Sequence, residues 1–300
     1  MNLYDCFMYN KEDLILELRL NILDKFVHKF VIVESCYDHQ GNKKKLYFNI
    51  KKFKKFKDKI NYIIIENEPN NLIKDKNIGA QNNSLYRANA QKRILHQREA
   101  IFNAVKKNNG DDWVVYSDSD EIPNLEEFDL KKFNNKFVLF KQKLFYYTFN
   151  LSLPEYDWFG SKACRVKNLN SITDLRNIKT KKYEWWRVDT LLKKNKFINL
   201  KIIDKGGWHF AQIKSPEEIY EKHKNDEHHD EFELTGIKLD DVKKMVVNRY
   251  IHYNHKADKK DFNSKWGKNI KVKLLKTQDE VLPKYLVQNK KKYNIWFDNL

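Results

Sequence analysis

The sequence predicts an α/β fold: a mixed, mainly parallel sheet flanked by helices. Three observations predict it. Short apolar runs rich in β-branched and aromatic residues, at residues 4–9, 30–33, 62–65 and 113–116, are bounded by polar residues as buried strands are. Segments of helical period lie between the first and second runs and between the third and fourth. Three of the runs end on acidic residues, Glu34, Glu66 and Asp118 to Glu121.

The elements follow in order. Residues 4–9 are aromatic and alternating enough for a strand. Residues 10–13 offer a helix start, after which Leu14, Leu18 and Ile22, with Leu16, Leu20 and Leu23, recur at helical spacing. Strand, helix and strand within about 35 residues predict a right-handed crossover. A helix over residues 85–107 precedes the fourth run, and Gly110 is placed to cap it. Continuous apolar runs separated by helices point to a parallel sheet covered on both faces. From residue 137 the pattern changes to aromatic strands, at 137–140 and 145–149, with antiparallel character expected, followed by strands at 185–188 and 197–203. Gly206 and Gly207 read as a tight turn. Ser215-Pro216-Glu217-Glu218 is a helix start, with Ser at the N-cap and acids in the first turn. The body of the fold is expected over residues 1–235, with residues 236–300 as a charged C-terminal extension packed on or beside it.

The net charge of +17 first suggests a nucleic-acid partner. The chain is crowded with Lys, Asn and Ile together, a bias that AT-rich coding produces by itself. Its lysine runs, Lys43 to Lys45 and Lys290 to Lys292, are not interleaved with an aromatic nucleic-acid motif. These features argue against nucleic acid and leave a general attraction for nucleotide phosphates or acidic glycans. Cys6, Cys36 and Cys164 are far apart, with no CxxC pair and no disulfide framework. No basic-then-apolar leader opens the sequence, and no apolar run approaches 18 residues. The expectation is a cytoplasmic protein without a transmembrane segment, its lysines compatible with peripheral contact at a membrane.

Ligands of open α/β sheets sit beyond the carboxyl ends of the strands. Asp118 and Asp120, two apart after a buried strand, project to one side in an extended chain. Two hard oxygen ligands with open positions suit Mn²⁺ or Mg²⁺ shared with a diphosphate. Among 23 aspartates about two such triplets arise by chance, so the strand context carries the reading. A solvated loop or helix cap is the structural alternative. Arg98, on the preceding helix, is placed to brace the acidic loop or meet a phosphate; an exposed helical Arg is the plainer outcome. Trp208 and His209 beside the glycine pair are candidates to line a ligand, against an ordinary turn with a packed Trp. The stretch His223 to Glu231 lacks the HExxH spacing of a zinc site, but a carboxylate from it can serve as a general base.

These residues resemble glycosyltransferase family 17. The resemblance runs through Tyr4-Asp5-Cys6-Phe7 to Leu14, Glu17-Leu18-Arg19-Leu20-Asn21, Phe30 to Ser35, Gly41, Lys45 to Phe48 and Gln97-Arg98. It is sharpest at Ser117-Asp118-Ser119-Asp120-Glu121-Ile122-Pro123 and recurs at Gly206-Gly207-Trp208-His209-Phe210, with His229-Asp230-Glu231-Phe232 similar to the family's HxE segment. It covers roughly residues 3–235. The resemblance implies a GT-A fold, a nucleotide-sugar donor (UDP-GlcNAc in the known enzyme), and inversion at the anomeric carbon. The known enzyme's signal anchor has no counterpart here, so a glycan or glycolipid acceptor other than a Golgi N-glycan is expected.

On this reading Asp120 is the chief metal ligand, and Asp118 touches the metal or donor hydroxyls. Glu34 contacts the nucleoside, Arg98 supports the diphosphate, and Trp185, Trp186 or Trp208 walls a sugar ring. Glu231 is the general base, ahead of Asp189 and Glu121. The rivals are a metal-dependent nucleotidyltransferase and a non-enzymatic basic protein that binds nucleic acid or glycan.

Overall fold

A computed structural model of the chain describes residues 1–73, 83–181, 196, 199–225, 229–257 and 265–299. The amino-terminal half is the parallel layer that the apolar runs predict. Strands β1 (Leu3–Met8), β2 (Lys29–Ser35), β3 (Ile60–Ile65) and β4 (Trp113–Tyr116) lie side by side in the order β4-β1-β2-β3. All three pairings are parallel. Side chains alternate across a strand, so each buried run feeds two cores. Leu3, Phe7, Phe30, Ile32, Trp113 and Val115 face helix α1 (Asp13–Leu23), which buries Ile15, Leu16, Leu18, Leu20 and Leu23 against them. Tyr4, Cys6, Val31, Val33, Val114 and Tyr116 face the other way and pack with Ile101 and Val105 of helix α2 (Asn83–Val105). Truncating any one of these buried Leu or Ile side chains to Ala costs about 2–5 kcal/mol.

Beyond β4 the sheet becomes mixed. Strands β5 (Glu121–Pro123), β6 (Phe137–Tyr146), β7 (Leu151–Trp158) and β8 (Lys162–Arg165) precede helix α3 (Ile172–Arg176) and strand β9 (Leu200–Ala211). Strand β8 joins β4 to β6 through antiparallel pairs on both sides. β6 pairs antiparallel with β7 but parallel with β9, and β9 carries β5 antiparallel on its other edge. The helices α4 (Pro216–Asn225), α5 (His229–Leu234) and α6 (Leu239–Val247) follow, then short strands β10 (Tyr250–Ile251), β11 (Val272–Lys273) and β12 (Leu275–Lys276), and helix α7 (Lys284–Gln288). Ser215 caps α4 as expected: Glu218 N–H donates to its hydroxyl at 3.2 Å and the Glu218 carboxylate receives Ser215 N–H at 3.1 Å.

Several sequence expectations are corrected. Residues 137–146 form one strand rather than parts of two, because the polar Gln142 and Lys143 are ladder residues and Lys141 stays in the strand at the register shift between its apolar ends. Helix α2 ends at Val105, five residues before Gly110, which is not among the left-handed glycines. Gly206 and Gly207 make no turn. They lie inside β9 where the β6–β9 register shifts, and a Cβ on Gly206 would meet the Lys141 nitrogen at 2.5 Å. Gly207 has φ +131°, and a Cβ there would lie 2.2 Å from the Ile122 carbonyl oxygen. The pair lets two neighbouring backbones close on a bulge. The strand expected at 185–188 lies outside the described residues.

The segment after residue 235 shares its cores with the rest. Ile219 and Phe232 pack with Ile237, Val242 and Met245, while Leu286, Tyr293 and Phe297 enter the cluster of Phe145, Phe149 and Phe210. Strand β12 extends the main sheet on β7. No helix among the described residues is long and apolar enough to cross a membrane.

Candidate active site

The site is built where β4 ends and the chain turns through Ser117, Asp118, Ser119 and Asp120 into β5. A buried cation shapes this turn. Arg19 stands on the apolar face of α1, fully buried, and its guanidinium forks onto Asp5 of β1 at 2.7 and 2.6 Å. The rest of the fork reaches the turn: Arg19 donates to the carbonyls of Asp118 (3.1 Å) and Glu121 (2.8 Å) and to the Ser117 hydroxyl (2.6 Å). A planar group with five donors is suited to fixing several oxygens at once, and the carboxylate of Asp5 compensates its charge. On the far side, Phe210 N–H of β9 holds the Asp120 carbonyl at 2.8 Å.

The three carboxylates of the turn then face different partners. Glu121 is buried and accepts from Asp118 N–H (2.8 Å), the Trp158 indole (2.6 Å) and Arg176 at the end of α3 (3.1 Å). Burial works to raise its carboxyl, but Arg176 and His209 hold it below its ordinary value. Asp118 receives Arg176 at 2.6 Å. Burial pushes its carboxyl up to about 6 against the pull of Arg176, and Glu121 and Asp120 add to the rise. Asp120 points to His209 of β9 (3.4 Å) and Lys222 of α4 (3.7 Å). Burial again opposes its charge, but His209, Lys222 and Lys214 overcome it and hold the carboxyl well below the carboxylate range. His209 shows the reciprocal effect: burial disfavours the charged ring, and Asp120 raises it nonetheless. Ser119 donates to Glu12, which Lys222 and Lys214 flank at 3.3 and 3.4 Å.

Asp118, Asp120 and His209 offer oxygen and imidazole donors of the kind that hold Mn²⁺ or Mg²⁺. Among the described residues no three ligating side chains form a ready-made cage. That fits an ion held by one or two carboxylates and completed by a substrate diphosphate and water.

Two cavities flank the turn. A polar cleft of about 730 Å³ opens between residues 67–71, the side of α2 and the start of α3, and Arg98 lines it. Arg98 donates to the Tyr116 hydroxyl at 3.2 Å, at the root of the acidic turn. The second is an aromatic pocket of about 320 Å³ whose wall includes Tyr146, Trp158, His223, Glu231, Tyr253, His255 and Trp266. Trp158 joins the two regions: its indole is on Glu121, and its ring lies 4.9 Å from that of His209. His255 is pushed down to about 4 by burial and bonds the Tyr146 hydroxyl at 2.7 Å.

The structure thus brings Asp118, Asp120, His209 and Arg98 around one turn and sets Glu231 in the adjoining pocket, where Arg87 (3.4 Å) and Lys265 (3.3 Å) reach its carboxylate. Two expectations are corrected. Glu34 is fully buried and spends its oxygens on Lys44, the Tyr47 and Phe48 N–H groups and the Tyr62 hydroxyl, so it fastens residues 44–48 instead of facing a nucleoside. Trp208 alternates with His209 to the opposite face of β9 and donates to the Val281 carbonyl at 2.6 Å. Trp185, Trp186 and Asp189 lie outside the described residues.

Residues 1–182 match the model of glycosyltransferase family 17, more than half of the chain. The chain belongs to that family. No curated protein matches it. The matched part of this glycosyltransferase supplies the acidic turn, Arg19, Arg98 and Arg176, whereas His209, Lys222 and Glu231 come from the chain beyond the match. Sequence reasoning missed Arg19, Arg176, Glu12 and Lys222. Only Arg19 carried a signal, an arginine among leucines on an apolar helix face, where an unpaired charge cannot be buried.

Proposed function

We propose that this glycosyltransferase moves a sugar, GlcNAc from UDP-GlcNAc in the first instance, to a hydroxyl of a glycan or glycolipid acceptor with inversion at the anomeric carbon. One observation carries the reading: an acidic turn at the carboxyl ends of parallel strands, fixed by Arg19, is linked to a polar cleft through Arg98 on Tyr116 and to a separate aromatic pocket, containing Glu231, through Trp158 on Glu121. Nucleotide and acceptor can therefore reach the turn from two separate cavities.

In this reading the cleft takes the nucleoside diphosphate, with Arg98 on the phosphate side, and Asp118 and Asp120 would hold Mn²⁺ or Mg²⁺ together with the diphosphate and water. Bound there, the ion would neutralise charge developing on the departing diphosphate. Arg176 orients Asp118 and, with Trp158, pins Glu121. The acceptor oxygen forms its bond to C1 while the bond from C1 to the diphosphate oxygen breaks on the opposite face, with oxocarbenium character between. The acceptor proton passes to Glu231. Trp158 closes the turn against the aromatic pocket and excludes water from it.

The test is thermal stability with UDP-GlcNAc and other nucleotide sugars, with and without Mn²⁺. A ligand at a hundred times its dissociation constant stabilises by about 2.7 kcal/mol. Asp120→Asn should keep the fold and lose the Mn²⁺-dependent part of that gain. Absence of stabilisation by any nucleotide sugar would overturn the reading.

A further inference from the structure

Resting on the proposed transfer reaction, we infer that the aromatic pocket is the acceptor subsite and that it takes an uncharged pyranose ring. Its volume, about 320 Å³, is at the small end of the ~300–1,000 Å³ typical of small-molecule sites. The wall is unusually aromatic for so polar a chain, with Tyr146, Trp158, Tyr253 and Trp266 among its residues. Such faces accept the C–H side of a sugar ring, while a few polar groups read its hydroxyls.

Two independent features point to a ligand. The indole nitrogen of Trp266 is buried and has no hydrogen-bond partner among the described residues, although a buried indole N–H ordinarily finds one. A hydroxyl of a bound ring would supply it. The polar groups are also balanced for a neutral guest. Among the described lining residues the lysine, Lys265, is already engaged by the pocket's carboxylate, Glu231, which also takes Arg87, and burial disfavours a proton on His255. Both cations are held by that carboxylate instead of facing an acidic sugar.

The placement favours acceptor over donor. The pocket is linked to the acidic turn through Trp158, whose indole is on Glu121, and through α4, where His223 lines the pocket and Lys222 reaches Asp120. Arg98 lines the larger polar cleft, which shares no lining residue with this pocket. Most of the pocket, from Gln212 to Trp266, belongs to the chain beyond the family match at residue 182. Acceptor choice is accordingly written in the C-terminal part, and the acidic turn and the polar cleft in the matched part.

Saturation-transfer NMR on the full chain tests this with methyl glycosides of glucose, galactose, mannose and N-acetylglucosamine, and with methyl glucuronide, all without donor. At least one neutral glycoside should bind and the glucuronide should not. Trp266→Phe, which keeps a ring but removes the N–H, should weaken that glycoside about 3- to 10-fold, the range of one neutral hydrogen bond. Tyr253→Leu, which removes a stacking face, should weaken it too, with circular dichroism confirming that each variant folds. UDP binding is measured alongside. Weakened glycoside with retained UDP supports the acceptor subsite. Loss of UDP in these variants would move the pocket to the donor side and overturn the assignment, as would binding of the glucuronide alone or unchanged glycoside affinity in both variants. Failure of wild-type protein to bind any nucleotide sugar would instead overturn the transfer reaction itself.

Discussion

At the scale of single residues, the site separates carboxylates that hold from one that is placed to act. Glu121 and Glu34 are saturated with internal donors, and Asp118 and Asp120 face cations at the turn. Glu231 sits in the aromatic pocket, and Glu231→Gln keeps its size while abolishing its capacity to take a proton. A positioned base contributes about 10²- to 10⁴-fold in rate. The expected result is a fall in kcat of that order with the UDP-sugar dissociation constant nearly unchanged; turnover equal to wild type would return Glu231 to a purely structural ion pair with Arg87 and Lys265. His255 gives a second prediction. It faces the Tyr146 hydroxyl and the rings of Tyr156, Trp158 and Tyr253, with the charges of His209 and Lys265 nearby. Its folded-state value of about 4 lies below the ordinary 6.5. The unfolded chain therefore binds the extra proton first, and stability present above pH ~6.5 is lost as pH falls toward ~4. Chemical unfolding of wild type and His255→Gln across this window should show a shallower acid decline in the variant. Parallel declines would show that the imidazole does not titrate differently on folding.

At the scale of elements, the decisive contact is between α1 and the β4–β5 turn. Arg19→Met keeps length and apolar packing but leaves Asp5 buried without its partner, which for a buried pair costs about 3–5 kcal/mol. Urea unfolding should show that loss, and Asp5→Asn in the same chain should recover part of it, because the uncompensated charge is then gone. A loss below 1 kcal/mol would mean that the turn carries itself. This contact also shows what the sequence could disclose. Strands β1, β2 and β4 and helix α1 were legible because their buried faces impose continuous or periodic apolar runs, and the half-exposed edge strand β3 because it is a run of β-branched residues. The acidic turn was legible because a strand leads directly into it. The bulge at Gly206 and Gly207 was not, since two glycines signal close backbone approach without saying whether a turn or a neighbouring strand is the cause. Arg176 was invisible for a different reason. It reaches Asp118 from 58 residues away, a pairing that only the β8–α3 return of the chain creates.

At the scale of the molecule, the charge of +17 and the C-terminal segment need to be considered together. The C-terminal segment looks like a charged tail in sequence, but among its described residues Leu286, Tyr293 and Phe297 enter the main core, Leu274 joins a second core, and Tyr253 and Trp266 line the aromatic pocket. These apolar anchors do the packing, while Lys290 to Lys292 stay partly or fully exposed. Lys290 pairs with Asp279, Lys292 pairs with Glu17 on the outer face of α1, and Lys291 is exposed. Both pairs are partly solvated, and such pairs contribute about 0–1 kcal/mol each. None of the three lysines lines either cavity. Replacing all three with Ala should therefore lower stability by no more than about 1–2 kcal/mol and leave turnover on a small acceptor within about twofold. Two salt series distinguish local from global charge. If the lysines act only through diffuse attraction, kcat/KM for the anionic donor falls with ionic strength in both proteins, less steeply in the variant with its three fewer positive charges, and the two converge at high salt. A large loss of kcat in the triple variant at low salt would place this basic segment inside the catalytic machinery and contradict the position that the fold gives it.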